Sequence, residues 1–332
     1  MTEHAKRTSV LVVGLAVIAS MILSVTGVGR AQQNNGTGSG LSISPTRSEL
    51  SIQRGKTDQV KVNIRNVTKG AIVAKPSVSD FEADNETGEP KLLADQKTHN
   101  SASIYKFVTG LSDVNLAPGE SKDLTYTIAI PNDAVAGAYY GALTYRAVPA
   151  EQANNQNGGG EVALTANVAS LVLVEVPGDI TEKIQINSVK ALASNGKSNT
   201  IFSHAPAKSA ISIKNLGNSF AKPFGTVSVT NMSGKQVYSY EINNATPRSN
   251  ILPKTSRVFT DQIKNISKPG RYTITANISY GTGGDVISQK VSFWYVPTWL
   301  LLTLIVLILA LVAGGYLLYR KQFGSHSARK KR

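Results

Sequence analysis

The side chains able to do chemistry are few and scattered in this 332-residue chain. Away from the termini the histidines are His99 and His204, too few for a histidine-based triad or a metal cage of several imidazoles. There is no cysteine, which excludes thiol catalysis and disulfides alike. The densest acidic stretch is "DFEADNETGE", in which Asp80, Glu82, Asp84 and Glu86 recur at every second position. In a loop such oxygens could gather a calcium ion, but the twelve-residue helix-flanked pattern is missing; in an extended segment they line one solvated face. No glycine-rich phosphate cradle follows a strand and opens a helix. A paired-carboxylate hydrolase needs only two acids, yet small sandwiches offer it no cleft. The expectation is a protein that is not an enzyme, with no catalytic residue and no cofactor.

Two adjacent tyrosines in "GAYYGALTY" pose the question of a ligand platform. Side chains alternate along a strand, so Tyr139, Gly141, Leu143 and Tyr145 share one face, and Tyr140, Ala142, Thr144 and Arg146 the other. The first set is the core face. Tyr139, just after a glycine turn on a penultimate strand, suits the corner tyrosine of immunoglobulin-like sandwiches, whose hydroxyl finds a backbone partner. If either ring meets a ligand it is Tyr140, beside Arg146.

The elements that hold these residues follow from the rest of the chain. Residues 10–28 are apolar, follow Lys6 and Arg7, and lead to small residues around Ala31, the layout of a secretory signal. Residues 299–319 carry no charge; 21 helical residues span about 31 Å, a bilayer's hydrocarbon thickness. Arg320, Lys321 and the closing Arg329-Lys330-Lys331-Arg332 place the tail in the cytoplasm and the middle outside. Trp294, Tyr295 and Trp299 stand where interfacial aromatics belong. Of the net charge of +14, the leader holds +2 and the tail +6, leaving +6 on the middle. Without basic clusters that is no footprint of nucleic-acid binding.

Between leader and helix the pattern is short alternating runs broken by Gly, Pro, Asn and Asp, the mark of an all-β protein. The chain also repeats itself. "VKVNIRNV" matches "AISIKNL", each is followed by "AKP", "LAPGES" matches "LPKTS", and "GAYYGALTY" matches "GRYTITANISY". Four landmarks in one order indicate tandem copies of one sandwich. Asn66 to Pro118 is 52 residues against 38 from Asn215 to Pro253, so the first copy carries about 14 extra residues, in or near residues 81–105. "LPKTS", with Ser256 in place of a sorting-signal glycine, reads as a turn.

The organisation expected is a signal peptide (1–31), a flexible tether (32–40), a distal sandwich (41–178), a membrane-proximal sandwich (179–296), a transmembrane helix (297–319) and a basic cytoplasmic tail (320–332). The fold class is all-β: two tandem immunoglobulin-like β-sandwiches with one C-terminal membrane helix.

"LSISPTRSELSIQRGKTDQVKVNIRN", "LAPGESKDLTYTIAIPNDAVAGAYYGALTY" and "ASLVLVEVPGD" resemble the first ectodomain of the WxL-interacting proteins of monoderm bacteria. That resemblance implies a peptidoglycan-binding-type first domain, a host-binding-type second domain, and partners that are wall polymer, secreted WxL-bearing proteins and, through the helix, the lipid bilayer. The function expected is a single-pass surface protein that engages peptidoglycan or WxL proteins. The alternative is a spacer, or a chaperone-like strand acceptor for exported subunits.

Overall fold

A computed structural model describes residues 40–93, 99–150 and 167–323. The signal segment and all but the last residue of the tether lie outside the described residues, as does the tail beyond residue 323. The described chain is mostly β-sheet and ends in one helix.

Up to Val176 the strands are β1 (Leu41–Ser44), β2 (Arg47–Ser51), β3 (Thr57–Asn66), β4 (Ile72–Ser79), β5 (Phe81–Ala83), β6 (Pro90–Leu92), β7 (Val108–Thr109), β8 (Val114–Leu116), β9 (Ser121–Ala129), β10 (Gly137–Pro149) and β11 (Asn167–Val176). They form a sheet ordered β1-β3-β9-β7, a second ordered β2-β11-β10-β4-β8, and the hairpin β5-β6. Val62, Ile64, Ile128, Leu143, Tyr145 and Val172 interdigitate between the two larger sheets. The alternation is clean in β3, where Val60, Val62, Ile64 and Asn66 are buried and the residues between them are mostly exposed.

The second set is β12 (Ile184–Leu192), β13 (Ile201–Phe202), β14 (Lys208–Asn215), β15 (Phe224–Asn231), β16 (Gln236–Ile242), β17 (Ser256–Gln262), β18 (Gly270–Tyr280) and β19 (Asp285–Tyr295). Its sheets are ordered β12-β14-β17 and β13-β19-β18-β15-β16 around a separate core of Ile211, Ile213, Val229, Ile274 and Phe293. Remove β5, β6 and β7 from the first set and the two topologies coincide strand for strand. The strands without a counterpart fall in or next to residues 81–105, where the spacing places the extra residues.

Matching side chains also do matching work. Asn66 and Asn215 are buried at the ends of β3 and β14. Asn66 Nδ2 donates to the carbonyls of Gly70 at 2.8 Å and Ala117 at 3.0 Å; Asn215 Nδ2 donates to those of Ser219 at 2.7 Å and Ile251 at 3.0 Å. Ala117–Glu120 and Leu252–Thr255 are equivalent Pro-containing turns closed by Glu120 N to Ala117 O at 3.1 Å and Thr255 N to Leu252 O at 3.2 Å. The third residue has φ of +75° at Gly119 and +64° at Lys254, as a type II turn requires. Tyr139 and Tyr272 are both buried, and each hydroxyl donates to the carbonyl four residues upstream, Val135 at 3.0 Å and Lys268 at 2.7 Å. The corner-tyrosine expectation is met in both units.

The helix α1 (Thr298–Phe323) begins three residues after β19. Its window Thr298–Lys321 has a mean hydropathy of 2.7, and none of it is buried against the protein. Side chains as apolar as Leu302, Val306 and Leu311, all more than half exposed, are compatible with an apolar solvent and therefore with anchoring in a membrane.

Candidate functional site

The residues singled out in the sequence occupy three different environments. Tyr140 lies on the outward face of β10, with its ring centroid 5.2 Å from that of Phe81 and 6.3 Å from that of Phe220. Burial, reinforced by the negative charges of Asp80 and Glu82, raises its phenol above the ordinary tyrosine range. Arg146, on the same face six residues on, is exposed and stands in register between Lys75 and Asn167. The structure does not bring the two together: six residues of strand span roughly 20 Å.

The acidic stretch is likewise divided. Asp80 is buried, accepts from Ser103 Oγ and from Asn100 N, and lies 3.3 Å from His99 Nδ1. Ser103 therefore donates to the carboxylate, and the His99 ring stacks on Tyr105 at 3.8 Å. Asp84 shapes the β5–β6 turn, accepting from Glu86 N and Thr87 N at 2.8 Å each, which lowers its pKa. Glu82 and Glu86 are on the surface. Among the described residues no three His, Cys, Asp or Glu side chains converge on one point.

Tyr140 belongs to a seam between the two sandwiches. The outward face of the β2-β11-β10 sheet presents Leu171, Leu173, Tyr140 and Ala142, and Phe220 and Leu252 of the second sandwich pack into the same apolar cluster. Polar contacts border it. Glu49 meets Lys222 Nζ at 2.5 Å, accepts from Asn250 Nδ2 at 2.9 Å, and lies 3.2 Å from Arg47 Nε. Burial alone would raise the Glu49 carboxyl; hydrogen bonds from Lys222 and Asn250, with the charges of Lys222 and Arg47, outweigh it and hold the pKa below the usual range. Asn218 clamps the linker: its carbonyl accepts from Ala138 N at 2.9 Å, and its Oδ1 from Thr181 N at 2.8 Å. The β5–β6 hairpin reaches across too, where Glu86 O accepts from Val258 N at 2.8 Å on the outer edge of β17. The chain's extra residues thus brace one sandwich against the other.

A cleft of ≈ 500 Å³ opens beside the seam. Most of its charged groups are engaged with the protein itself: Glu49 and Lys222 as above, Glu175 with Ser219 Oγ, Glu182 with Thr282 N at 2.9 Å, and Arg248 over the Phe224 ring at 4.3 Å. Such a lining is joint hardware, with few groups free for a ligand.

The backbone offers a different opportunity. In the first sandwich, β11 is flanked by β10 and, over Leu171–Glu175, by β2. In the second, β19 is paired along its whole length with β18, but on its other side only Trp294 and Tyr295 have a partner, β13. Trp294 N and Val296 N donate toward that side, to Thr200 O and Phe202 O at 2.8 Å each, so by the two-residue period Val286, Ser288 and Lys290 also direct N–H and C=O outward. Among the described residues no strand accepts them; β12 of the facing sheet runs alongside. Ile287 and Val291, on the inward face, remain partly exposed at this edge. This open edge is the candidate site. No pattern in the sequence marks it, because it depends on how far the short strand β13 runs along β19.

No family model and no curated protein matches the chain. Among solved structures it is similar to the class 5 fimbriae chaperone CfaA (17% identity, 77% of this chain and 99% of that one, TM-score 0.37) and to the E. coli chaperone DraB (12%, 77% and 97%, TM-score 0.35). A third is the CsuC–CsuE chaperone–tip subunit complex of Acinetobacter baumannii (12%, 75% and 97%, TM-score 0.35). Likenesses this distant assign no function. The resemblance to WxL-interacting proteins is corrected: no family model or curated protein of that kind matches the chain, and the similar structures named above are chaperones and a chaperone complex. The physical reason is visible in the fold. The stretches that carried the resemblance are a buried-asparagine strand end, a type II turn and a tyrosine corner, devices that the second sandwich repeats and that report architecture. The peptidoglycan and WxL partners rested on that resemblance and lose their support with it.

Proposed function

We propose that this is a non-enzymatic, membrane-anchored assembly factor whose two immunoglobulin-like sandwiches form a braced frame and whose β19 edge receives an extended segment of an exported protein. The observation that supports it is the unpartnered edge over Val286–Lys290, left open because β13 reaches only Trp294 and Tyr295, whereas in the first sandwich β2 covers five residues of β11. An added strand would complete the ladder and cover Ile287 and Val291. Six outward N–H and C=O groups at about 1 kcal/mol each correspond to a dissociation constant on the order of tens of micromolar before any ordering cost. Binding of that strength is transient, which suits handing a subunit on.

A photoreactive side chain at the exposed Val286 of the full-length protein in its host membrane tests the reading. Cross-links to exported polypeptides are expected. They should be lost in Ser288→Pro, which removes one outward N–H and leaves the β18 ladder intact, at unchanged thermal stability. Cross-links that persist in Ser288→Pro, or none to exported chains in the parent, would sink it.

A further inference from the structure

The end of the second sandwich next to α1 carries charge of one sign. The ladder places the end of β19 beside the start of β18 and the end of β15, because Gly270 pairs with Tyr295 and Asn231 with Tyr272. β13 runs parallel to β19, and the short 203–207 connection brings the start of β14 to the same end. The loops and strand ends gathered there hold Lys197, Lys208, Lys235, Lys264, Lys268 and Arg271, all exposed. Only one carboxylate, the half-buried Asp261, stands among them. None of the six cations makes an ion pair among the described residues. Large apolar side chains protrude at the same end: Met232 is 75% exposed, Ile201 65% and Trp294 45%. Met232, Arg271 and Trp294 line one shallow depression.

A cationic surface that also exposes Trp, Met and Ile is costly in water and is matched by one solvent, the headgroup zone of an anionic bilayer. The helix α1 leaves this end three residues after Tyr295, which puts that zone within reach. We propose that the second sandwich seats this end on anionic lipid headgroups, so that the frame stands in a fixed attitude on the membrane. The inference rests on reading α1 as a membrane anchor and is independent of the strand-acceptor reading, because it uses the end of the sheet and not its edge.

Trp294 and Trp299 are the only tryptophans, so the full-length Trp299→Phe protein carries a single reporter at the seat. It would be reconstituted into phosphatidylcholine vesicles, with or without phosphatidylglycerol, made with acyl-brominated lipid. Seating predicts about twofold stronger quenching of Trp294 in the anionic vesicles, lost on raising the salt and lost in Lys264→Glu/Lys268→Glu. Equal quenching in both lipids would overturn the seat while leaving the anchor standing. Extraction of the chain from vesicles by alkali would overturn the anchor and the seat together.

Discussion

Asn215 shows how much one buried amide can carry. Its Nδ2 serves Ser219 O and Ile251 O, and its Oδ1 accepts from Gly217 N at 2.9 Å. Asn215→Ala leaves two carbonyls and one N–H without partners in the interior, an expected loss of about 3 kcal/mol by chemical denaturation. Asn231 makes a similar set of bonds at an exposed turn, accepting from Ser233 N and Lys235 N. There water replaces the lost partner, so Asn231→Ala should cost under about 1 kcal/mol. Equal losses would show that burial is not what makes Asn215 important. Glu49 titrates with a defined sign. Its pKa is lowered in the folded protein, so its contribution is present above the unfolded value of about 4.3 and disappears as pH falls through the folded value. The pH dependence of Tm below pH 5 should therefore be shallower in Glu49→Gln than in the parent; identical slopes would remove Glu49 from the seam's electrostatics. Asn66 and Asn215 were visible in the sequence as repeat landmarks and Tyr139 as a corner residue, because local patterns encode strand ends and turns.

At the scale of elements, the hairpin β5–β6 braces β17 through a backbone atom. The side chain of Glu86 is dispensable for that, whereas Gly88, with φ of +68° and an added Cβ meeting Arg257 Cδ at 2.7 Å, is not. Gly88→Val should speed hydrogen exchange at the Val258 amide on the order of tenfold, the equivalent of about 1.4 kcal/mol, with Ile263 N, bonded to Ala207 O at 3.0 Å, unaffected. Glu86→Ala should move neither amide; an effect equal to that of Gly88→Val would mean that the side chain is the brace. The position of these extra residues was legible from spacing, but their target was not, since nothing local in "ETGEP" refers to a strand some 170 residues away. The same limit applies to Tyr140. Alternation assigned it the outward side of β10, correctly, but a period of two says nothing about what covers that side. A signal did exist: β11 is apolar on both faces, Val172 and Val174 inward and Leu171 and Leu173 outward, which is how a strand buried on both sides reads. The open edge of β19 left no such trace, because it depends on where a neighbouring strand stops.

For the whole molecule the question is whether two sandwiches with separate cores unfold as one body. Their cooperation must pass through the seam, and the backbones come close in it at Gly137, where φ is +143° and an added Cβ would lie 2.8 Å from Asn218 O. Backbone cannot move aside as a flexible side chain can, so Gly137→Ala must displace the Asn218 loop and the Ala138 hydrogen bond with it. Gly119 provides the control: its φ is +75° with nothing within 4 Å of an added Cβ, so Gly119→Ala incurs the conformational cost alone, about 1–3 kcal/mol, far from the seam. Calorimetry of the full-length protein in detergent should show one cooperative transition for the parent and for Gly119→Ala, shifted down in the latter, and two for Gly137→Ala as each core melts at its own stability. A single transition in all three would mean that the apolar cluster of Tyr140, Leu173, Phe220 and Leu252 couples the sandwiches without the clamp. Two transitions in the parent would mean that the frame is jointed, and an edge held at the membrane on a jointed frame could not present a bound strand in one direction.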